Sequence, residues 1–292
     1  MLERSSIVKP TKRKIPALIC NGGRPMTVGI AACCKYKEKA AVVLCCDWQG
    51  TTYYGKGDYL RKLRNAGERT TAVIAGDITE ADELLALSHR QIKAFEASEE
   101  EDFDLSVSNY LAALRAVTQQ RRLQKIDHEL KMTLGMSAED FWKNGKQSLL
   151  EPEHQAVLGE IRKVDLGASI VLATLTGDWP EATLVTLDAD GKVSWDDTYC
   201  AIGTGAVIAM GVLSRFNFTS QVQLEECLFR VLLAKRTAES DPNVGHPTSL
   251  EVRLADGPYV VTGEALIELQ NAVGAAYKCP VLSLGKAFLK KE

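Results

Sequence analysis

The chain has 292 residues, of which 46% are hydrophobic, and a formal net charge of −3. This length and apolar content suffice for one large domain or two small ones. A mildly acidic chain gives no reason to expect nucleic acid or an anionic membrane surface as a partner. No stretch approaches the roughly 18 apolar residues that span a bilayer, so we expect a soluble protein with no membrane partner.

Cysteine usage indicates a reduced compartment. The eight cysteines form no Cys-x-x-Cys pair and no Cys/His cluster with zinc spacing, so we expect neither a metal ion nor a cofactor. Cys33–Cys34 and Cys45–Cys46 lie in apolar runs, where cysteine behaves as a small hydrophobic residue. A cytoplasmic location is therefore expected.

Residues 1–26 are expected to form a poorly ordered extension or a propeptide. The segment is rich in Lys and Arg, is interrupted by Pro and Gly, and lacks the apolar core of a secretory signal. Order is expected to begin at Met26, immediately before the first apolar run.

The next part of the chain has the pattern of β-strands. Two apolar runs, Thr27–Cys34 and Ala40–Cys46, flank the charged segment Lys35–Lys39 and predict an antiparallel hairpin. A second hairpin is predicted over residues 51–63, with its turn at Gly55-Lys56-Gly57, and a further strand is predicted at Thr70–Ile74.

Helical periodicity follows. Thr79 and Asp82 predict a capping box for one helix, and a second, long helix is predicted over about 105–130. Five apolar residues are predicted to form the buried face of the long helix: Leu111, Leu114, Val117, Leu123 and Ile126. Two shorter helices are predicted within 131–166, where Ser137 is a candidate N-cap.

The second half of the chain alternates between the two patterns. Strands are predicted at 169–174, 182–187, 192–195, 248–254 and 258–261. Helices are predicted after Gly203-Thr204-Gly205, over about 220–238 and over about 264–277. Antiparallel strands with segregated helices predict the α+β class, with two antiparallel sheets between layers of helices.

Thr27 is a candidate nucleophile because of its position. Judged by its neighbours alone, Thr27 is only the first residue of a strand. It also directly follows an extension that the fold does not need, and this placement makes it a candidate N-terminal residue. At a new N-terminus, a threonine carries a hydroxyl and an α-amine whose ordinary pKa is about 7.7–8.0. Such an amine can accept the hydroxyl proton near neutral pH, so no distant histidine is required.

Three further residues could support this chemistry. Asp47 ends an apolar strand, and a cation such as Lys62 near the α-amine would lower the pKa of that amine while a carboxylate held the lysine in place. A purely structural ion pair is the alternative. Gly76 ends a strand before a helix, so its N–H could face a developing oxyanion, although a turn glycine is the more common case.

The series of segments resembles the β subunits of proteasomes, which are threonine peptidases of the N-terminal nucleophile hydrolase superfamily. Residues 26–30 (MTVGI) resemble the mature start of these subunits, and Arg61-Lys62-Leu63 resembles their Lys-containing segment. Residues 72–77 (AVIAGD) are similar to the strand that ends in the oxyanion glycine, and residues 199–211 (YCAIGTGAVIAMG) are similar to the Gly-Ser-Gly segment. The resemblance extends from Met26 to Tyr277, apart from 131–166, and suggests a bacterial proteasome-related homologue.

The resemblance implies a fold and a set of roles. The fold would be a four-layer αββα sandwich over residues 27–280, with 131–166 as a helical insertion and 281–292 as a tail. Catalysis would require Thr27 as nucleophile with its freed amine as base, Lys62 to tune proton transfer, Asp47 to orient Lys62, and the Gly76 N–H for the oxyanion. Four further implied residues are Thr204 in place of the family serine, Asp241 supporting the amine, Thr51 pairing with an extended substrate, and Ile74 at the base of a pocket for medium apolar side chains.

Three positions depart from the family pattern. Thr204 keeps the hydroxyl of the serine it replaces, whereas Val244 removes a hydroxyl donor near the amine. Residue 26 is methionine, where self-cleaving members usually have glycine, so the resemblance gives weaker support to autolysis as the route to a free Thr27. Translation that starts at Met26, followed by removal of the methionine, is another route.

The expected function is that of a threonine endopeptidase in a self-compartmentalised ring. The resemblance implies self-association into stacked rings, a protein or peptide substrate and a possible ATP-dependent unfoldase as partner. Two alternatives remain: an amidohydrolase that acts on a small amide with the same nucleophile, and a non-catalytic scaffold subunit in which Thr27 stays blocked. Retention of both Asp47 and Lys62 disfavours the scaffold.

Overall fold

The structure is a computed structural model that describes residues 27–52, 55–58, 61–98, 102–175 and 182–277. The expected extension 1–26 and tail 281–292 lie outside the described residues. Two compact units are distinguished. The smaller comprises Leu123–Val164 among the described residues, and the larger comprises the described residues up to Arg122 and from Asp165 onward.

The described residues form twelve strands and seven helices, which confirms the α+β class. The strands are β1 (Gly29–Tyr36), β2 (Lys39–Asp47), β3 (Gln49–Thr52), β4 (Gly55–Asp58), β5 (Leu63–Asn65), β6 (Thr70–Gly76), β7 (Ala168–Leu175), β8 (Ala182–Leu187), β9 (Val193–Asp196), β10 (Tyr199–Ile202), β11 (Thr248–Leu254) and β12 (Gly257–Val260). The helices are α1 (Ile78–Glu96), α2 (Phe103–Leu134), α3 (Ala138–Ser148), α4 (Glu151–Lys163), α5 (Ala206–Arg215), α6 (Leu224–Ala238) and α7 (Gly263–Tyr277).

Two five-stranded antiparallel sheets organise the larger unit. The first sheet has the order β10-β1-β2-β11-β12 and the second has the order β5-β6-β7-β8-β9, while β3 and β4 form a separate hairpin. The predicted β1–β2 hairpin is confirmed, with Gly29 opposite Cys46 and Tyr36 opposite Lys39. Its two-residue turn has positive φ at both Lys37 and Glu38, a geometry that matches the right-handed twist of the strands.

Each sheet buries one face against the other sheet. The side chains that fill this layer alternate along the strands, as expected for half-buried strands. The first sheet contributes Ala31, Cys33, Val42 and Leu44, and the second contributes Val73, Ala75, Val171 and Leu184. Two antiparallel sheets in contact are compatible with the predicted sandwich.

The opposite face of each sheet packs against helices. On the first sheet, Ile30, Val43 and Leu250 share a cluster with residues of α5 and α6 such as Leu213 and Val231. On the second sheet, an equivalent cluster joins strand residues to α1 and to the first turns of α2: Ala72, Ile74, Ile170, Leu172, Leu84, Ile92, Val107 and Leu114. Both sheets therefore have two buried faces, which explains their nearly continuous apolar sequences.

Six described cysteines lie in these layers as buried free thiols: Cys33, Cys34, Cys45, Cys46, Cys200 and Cys227. Burial raises the pKa of the Cys46 thiol to about 12 and that of the Cys200 thiol to about 12. They occupy positions where a small hydrophobic residue fills space between sheet and sheet or between sheet and helix.

The start of α1 differs from the prediction. Asp77 is the N-cap, and its carboxylate accepts a hydrogen bond from the Glu80 N–H at 3.1 Å. The predicted capping box at Thr79 and Asp82 is wrong, because the helix begins at Ile78 and Thr79 already lies inside its first turn. The predicted N-cap Ser137 of α3 is confirmed, since its hydroxyl accepts from the Asp140 N–H at 3.1 Å.

The smaller unit is helical. The two short helices expected within 131–166 are present as α3 and α4, and they pack with the end of α2 around Phe141, Val157 and Ile161. Leu123 was expected on the buried face of the long helix, but it is 57% exposed, so that assignment is wrong. No described helix has both the length and the apolar character needed to cross a membrane.

The second hairpin is shifted from its predicted position. In the structure, Gln49 pairs with Asp58 and Thr52 pairs with Gly55, so the connection falls on residues 53–54, outside the described residues. The prediction of a turn at Gly55-Lys56-Gly57 is wrong, because these residues belong to β4. The glycines at 55 and 57 correctly indicate that a turn is close, but they do not fix which residues form it.

Candidate active site

Thr27 lies two residues before β1 and is 1% exposed. Its hydroxyl donates a hydrogen bond to Asp47 Oδ1 and accepts one from Lys62 Nζ. The oxygen of this side chain is therefore held between a carboxylate and an ammonium group. The Lys62 ammonium favours negative charge on this oxygen, whereas the Asp47 carboxylate opposes it and accepts its proton in a hydrogen bond.

Asp47 organises the site from the last position of β2. Its side chain is fully buried, and Oδ1 accepts from the Val28 N–H at 3.1 Å and from Lys62 Nζ at 2.9 Å. The other oxygen, Oδ2, accepts from the Gln49 N–H at 3.1 Å and from the Gly245 N–H at 3.0 Å. Donors on both oxygens satisfy this buried side chain and fix its orientation.

Lys62 reaches the site from the second sheet. It directly precedes β5, and its carbonyl accepts a hydrogen bond from the Ile74 N–H at 3.0 Å. Its side chain is 5% exposed and forms the ion pair with Asp47. Since Asp47 belongs to the first sheet, the ion pair joins the two sheets at the point where Thr27 enters β1.

Thr204 faces the backbone of Thr27 from the loop between β10 and α5. Its Oγ1 accepts from the Thr27 N–H at 3.4 Å and donates to the Thr27 carbonyl at 3.3 Å. The Gly205 N–H donates to the same carbonyl at 3.2 Å. Thr204 and Gly205 therefore hold both the nitrogen and the carbonyl of Thr27.

Gly203 allows this close approach. Its φ is +88°, a conformation that side-chain-bearing residues rarely adopt, and a Cβ there would lie 2.3 Å from the Thr27 carbonyl oxygen. The Gly-Thr-Gly sequence thus has a local reason: the first glycine makes room for Thr27, the threonine hydroxyl contacts its nitrogen, and Gly205 binds its carbonyl.

Asp241 lies in a turn after α6, and the described hydrogen bonds do not join its carboxylate to the Thr27 nitrogen, which it was predicted to support. Its carboxylate accepts from the Asn243 N–H at 2.8 Å, and its carbonyl accepts from the Val244 N–H at 3.0 Å. The same turn delivers the Gly245 N–H to Asp47. Val244 is buried and packs with Val28 in the layer between the first sheet and its helices.

The described hydrogen bonds join none of the predicted residues Gly76, Ile74 and Thr51 to Thr27. Gly76 ends β6 with φ +95°, and a Cβ there would lie 2.3 Å from the Gly167 carbonyl oxygen, so the backbone requires glycine. Ile74 is 1% exposed and packs toward the helices. Thr51 lies in β3 opposite Lys56.

The structure therefore brings Thr27, Asp47, Lys62 and Thr204 together. Sequence reasoning missed the contributions of Gly203 and Gly245. A Gly-x-Gly pattern is a signal for a close backbone approach, but nothing in the sequence identifies Gly245 as a donor to Asp47. Among the described residues, no group of three or more His, Cys, Asp and Glu side chains is arranged to hold a metal ion.

Compared with known protein families and with curated proteins, the chain matches no family model and none of those proteins.

Proposed function

We propose that the chain is a threonine peptidase of the N-terminal nucleophile hydrolase type, with Thr27 as nucleophile once the residues before it are removed. One observation carries the proposal: Thr27 Oγ1 contacts both Lys62 Nζ and Asp47 Oδ1 at the entrance to the first strand. We further propose that the larger unit has the four-layer αββα arrangement. The two sheet-to-helix clusters and the sheet-to-sheet cluster support that arrangement.

In the proposed reaction, Thr27 Oγ1 attacks the carbonyl carbon of the scissile peptide bond and its proton passes to the freed α-amine. The Lys62 ammonium stabilises the charge that develops on the attacking oxygen, and Asp47 holds that ammonium in place. The Gly76 N–H donates a hydrogen bond that stabilises the oxyanion of the tetrahedral intermediate. Collapse breaks the C–N bond, and the leaving amine takes the proton from the α-ammonium. Water then hydrolyses the ester on Thr27.

The remaining predicted residues have supporting roles in this proposal. Thr204 Oγ1 already lies within hydrogen-bonding distance of the Thr27 nitrogen, so it is suited to orient a free amine. Asp241 acts through the turn that it stabilises. Thr51 is assigned to backbone pairing with an extended substrate, and Ile74 to the base of the primary pocket.

The proposed biological unit is a self-associated particle of stacked rings that degrades peptides or unfolded protein, with an ATP-dependent unfoldase as a possible partner. A ring would have many times the 31.9 kDa mass of the chain. Light scattering of the purified protein measures this directly, and a monomer would contradict the assembly.

The decisive test combines the intact mass of the purified native chain with hydrolysis assays. We expect a chain that begins at Thr27 and cleaves fluorogenic peptides, whereas Thr27→Ala abolishes cleavage and Thr27→Ser retains part of it. A chain that keeps Met26 and cleaves nothing identifies a scaffold subunit. A chain that begins at Thr27 but cleaves only small amides identifies an amidohydrolase. Peptide cleavage unchanged by Thr27→Ala refutes the mechanism.

A further inference from the structure

Lys235 is a buried cation outside the group of residues that contact Thr27. It lies in α6 and is 0% exposed, on the helix face that also carries Val231, Ala234 and Ala238. An aliphatic residue would suit that face better, because burial of an ammonium group is costly unless it is fully hydrogen-bonded. Packing alone therefore does not explain why a lysine occupies this position.

The hydrogen bonds of Lys235 supply that reason. Its Nζ donates to Glu239 Oε1 at 2.5 Å, to the Gly245 carbonyl at 2.9 Å and to the His246 carbonyl at 2.6 Å. All three ammonium hydrogens are thus used, two of them on consecutive carbonyls of one loop. A lysine can make three such bonds from a single atom, whereas no apolar residue can make any.

Gly245 is held from both sides. Its carbonyl accepts from Lys235, and its N–H donates to Asp47 Oδ2 at 3.0 Å. Asp47 in turn binds both Lys62 and the Thr27 hydroxyl. A continuous chain of hydrogen bonds therefore leads from α6 through the Gly245 backbone to the nucleophile.

Glu239 completes the anchor. Its second oxygen, Oε2, accepts from Arg236 Nη1 at 2.9 Å and contacts His246 Nδ1 at 2.9 Å. The carboxylate side chain is 8% exposed, so it neutralises Lys235 within the fold rather than in solvent. The helix end and the loop are consequently linked by one charged network.

We propose that Lys235 is a positioning residue for the active site, which fixes the Gly245 peptide so that its N–H orients the Asp47 carboxylate. The inference rests on the proposed function of Thr27. It assigns no contact between Lys235 and the substrate. Loss of Lys235 should slow the chemical step more than it weakens substrate binding. The group that would be displaced is the Asp47 carboxylate, which contacts the nucleophile and does not line a substrate pocket.

The test compares Lys235→Met and Lys235→Gln with Arg236→Gln. The control removes a charge from the same helix and a hydrogen bond to the same Glu239, but it leaves both loop carbonyls bound. At a temperature where circular dichroism shows the proteins folded, we expect kcat for peptide hydrolysis to fall about 10- to 100-fold in Lys235→Met. KM should stay within about twofold, Lys235→Gln should retain more activity than Lys235→Met, and the control should resemble wild type.

Hydrogen–deuterium exchange of the Gly245 amide gives a readout that needs no activity. This amide should be strongly protected in the wild-type protein and should lose protection in the Lys235 variants. Wild-type kcat in a folded Lys235→Met overturns the proposal. Exchange of the wild-type Gly245 amide at the rate of an exposed loop overturns it too, even if no variant folds. If the wild-type protein hydrolyses no peptide, the proposed function fails, while the exchange data still decide the link to Lys235.

Discussion

Lys62 and Asp47 form a buried ion pair between the two sheets, with 2.9 Å between Nζ and Oδ1 and side chains that are 5% and 0% exposed. The pair has two functions in the proposal, because it aligns the sheets and contacts the Thr27 hydroxyl. A buried charge that loses its partner is strongly destabilising, whereas an exposed pair contributes little. This difference makes the pair testable by stability measurements.

Asp47→Asn is expected to lower the free energy of unfolding by about 3–5 kcal/mol, because Lys62 then remains buried without a counter-charge. Hydrolysis should also be lost. The control is Asp82→Asn, which removes the more exposed ion pair with Arg64 and should cost less than about 1 kcal/mol. Urea denaturation followed by circular dichroism measures both. Equal losses of unfolding free energy in the two variants would show that the buried pair contributes no more to stability than the exposed one.

Gly203→Ala should displace the nucleophile. The left-handed backbone costs a non-glycine residue about 1–3 kcal/mol, and the new methyl group would meet the Thr27 carbonyl. The same substitution at Gly211 in α5, where no heavy atom lies within 4 Å of the added carbon, should stabilise the helix by about 0.5–1 kcal/mol. Thermal unfolding and peptide hydrolysis distinguish the two sites. A fully active Gly203→Ala would contradict the need for close approach.

The N-cap of α1 can be checked by alanine substitution. Asp77→Ala removes the acceptor for the Glu80 N–H and is expected to cost about 0.5–2 kcal/mol. Thr79→Ala, one residue inside the helix start, should change the free energy of unfolding by no more than about 0.5 kcal/mol. A larger loss at Thr79 would restore the capping box that the sequence predicted.

Glu239 should contribute to acid unfolding. Burial raises the pKa of its carboxyl, but hydrogen bonds from Lys235 and His246 outweigh burial and leave the pKa below the ordinary value of 4.5. The folded state therefore binds fewer protons than the unfolded state, and the contribution is present above pH 4.5 and is lost as pH falls through the folded pKa. Urea denaturation between about pH 3 and 6 should show a shallower pH dependence for Glu239→Gln than for wild type. Parallel curves would refute this contribution.

Most of the fold could be predicted from the apolar pattern. The bounds of β8 and β11 match the prediction, because both strands are continuous apolar or alternating runs with clear turn residues beside them. The four-residue β10 was missed, since so short a strand has too few alternations to stand out. It becomes a strand only because Gly29 and its neighbours offer an unpaired edge.

The candidate site divides in the same way. Thr27 and Asp47 could be predicted only by combining their positions at strand ends with the resemblance of the surrounding motifs, because a strand-end threonine or a structural ion pair would look the same in sequence. Gly245 could not, since its contribution is a backbone N–H that a distant turn delivers across 198 positions of sequence. Lys235 was hidden for a similar reason: its partners are carbonyl oxygens, which any residue could supply.

The six buried thiols can report how often the layers around them open. A cysteine thiolate attacks an electrophilic thiol reagent, and a cysteine at 0–4% exposure cannot meet the reagent until the surrounding layer opens. The layers that contain these cysteines also support the strands of the candidate site. The rate at which these six buried cysteines react with the reagent would therefore report how often the strands around Thr27 separate, and the measurement needs no substrate.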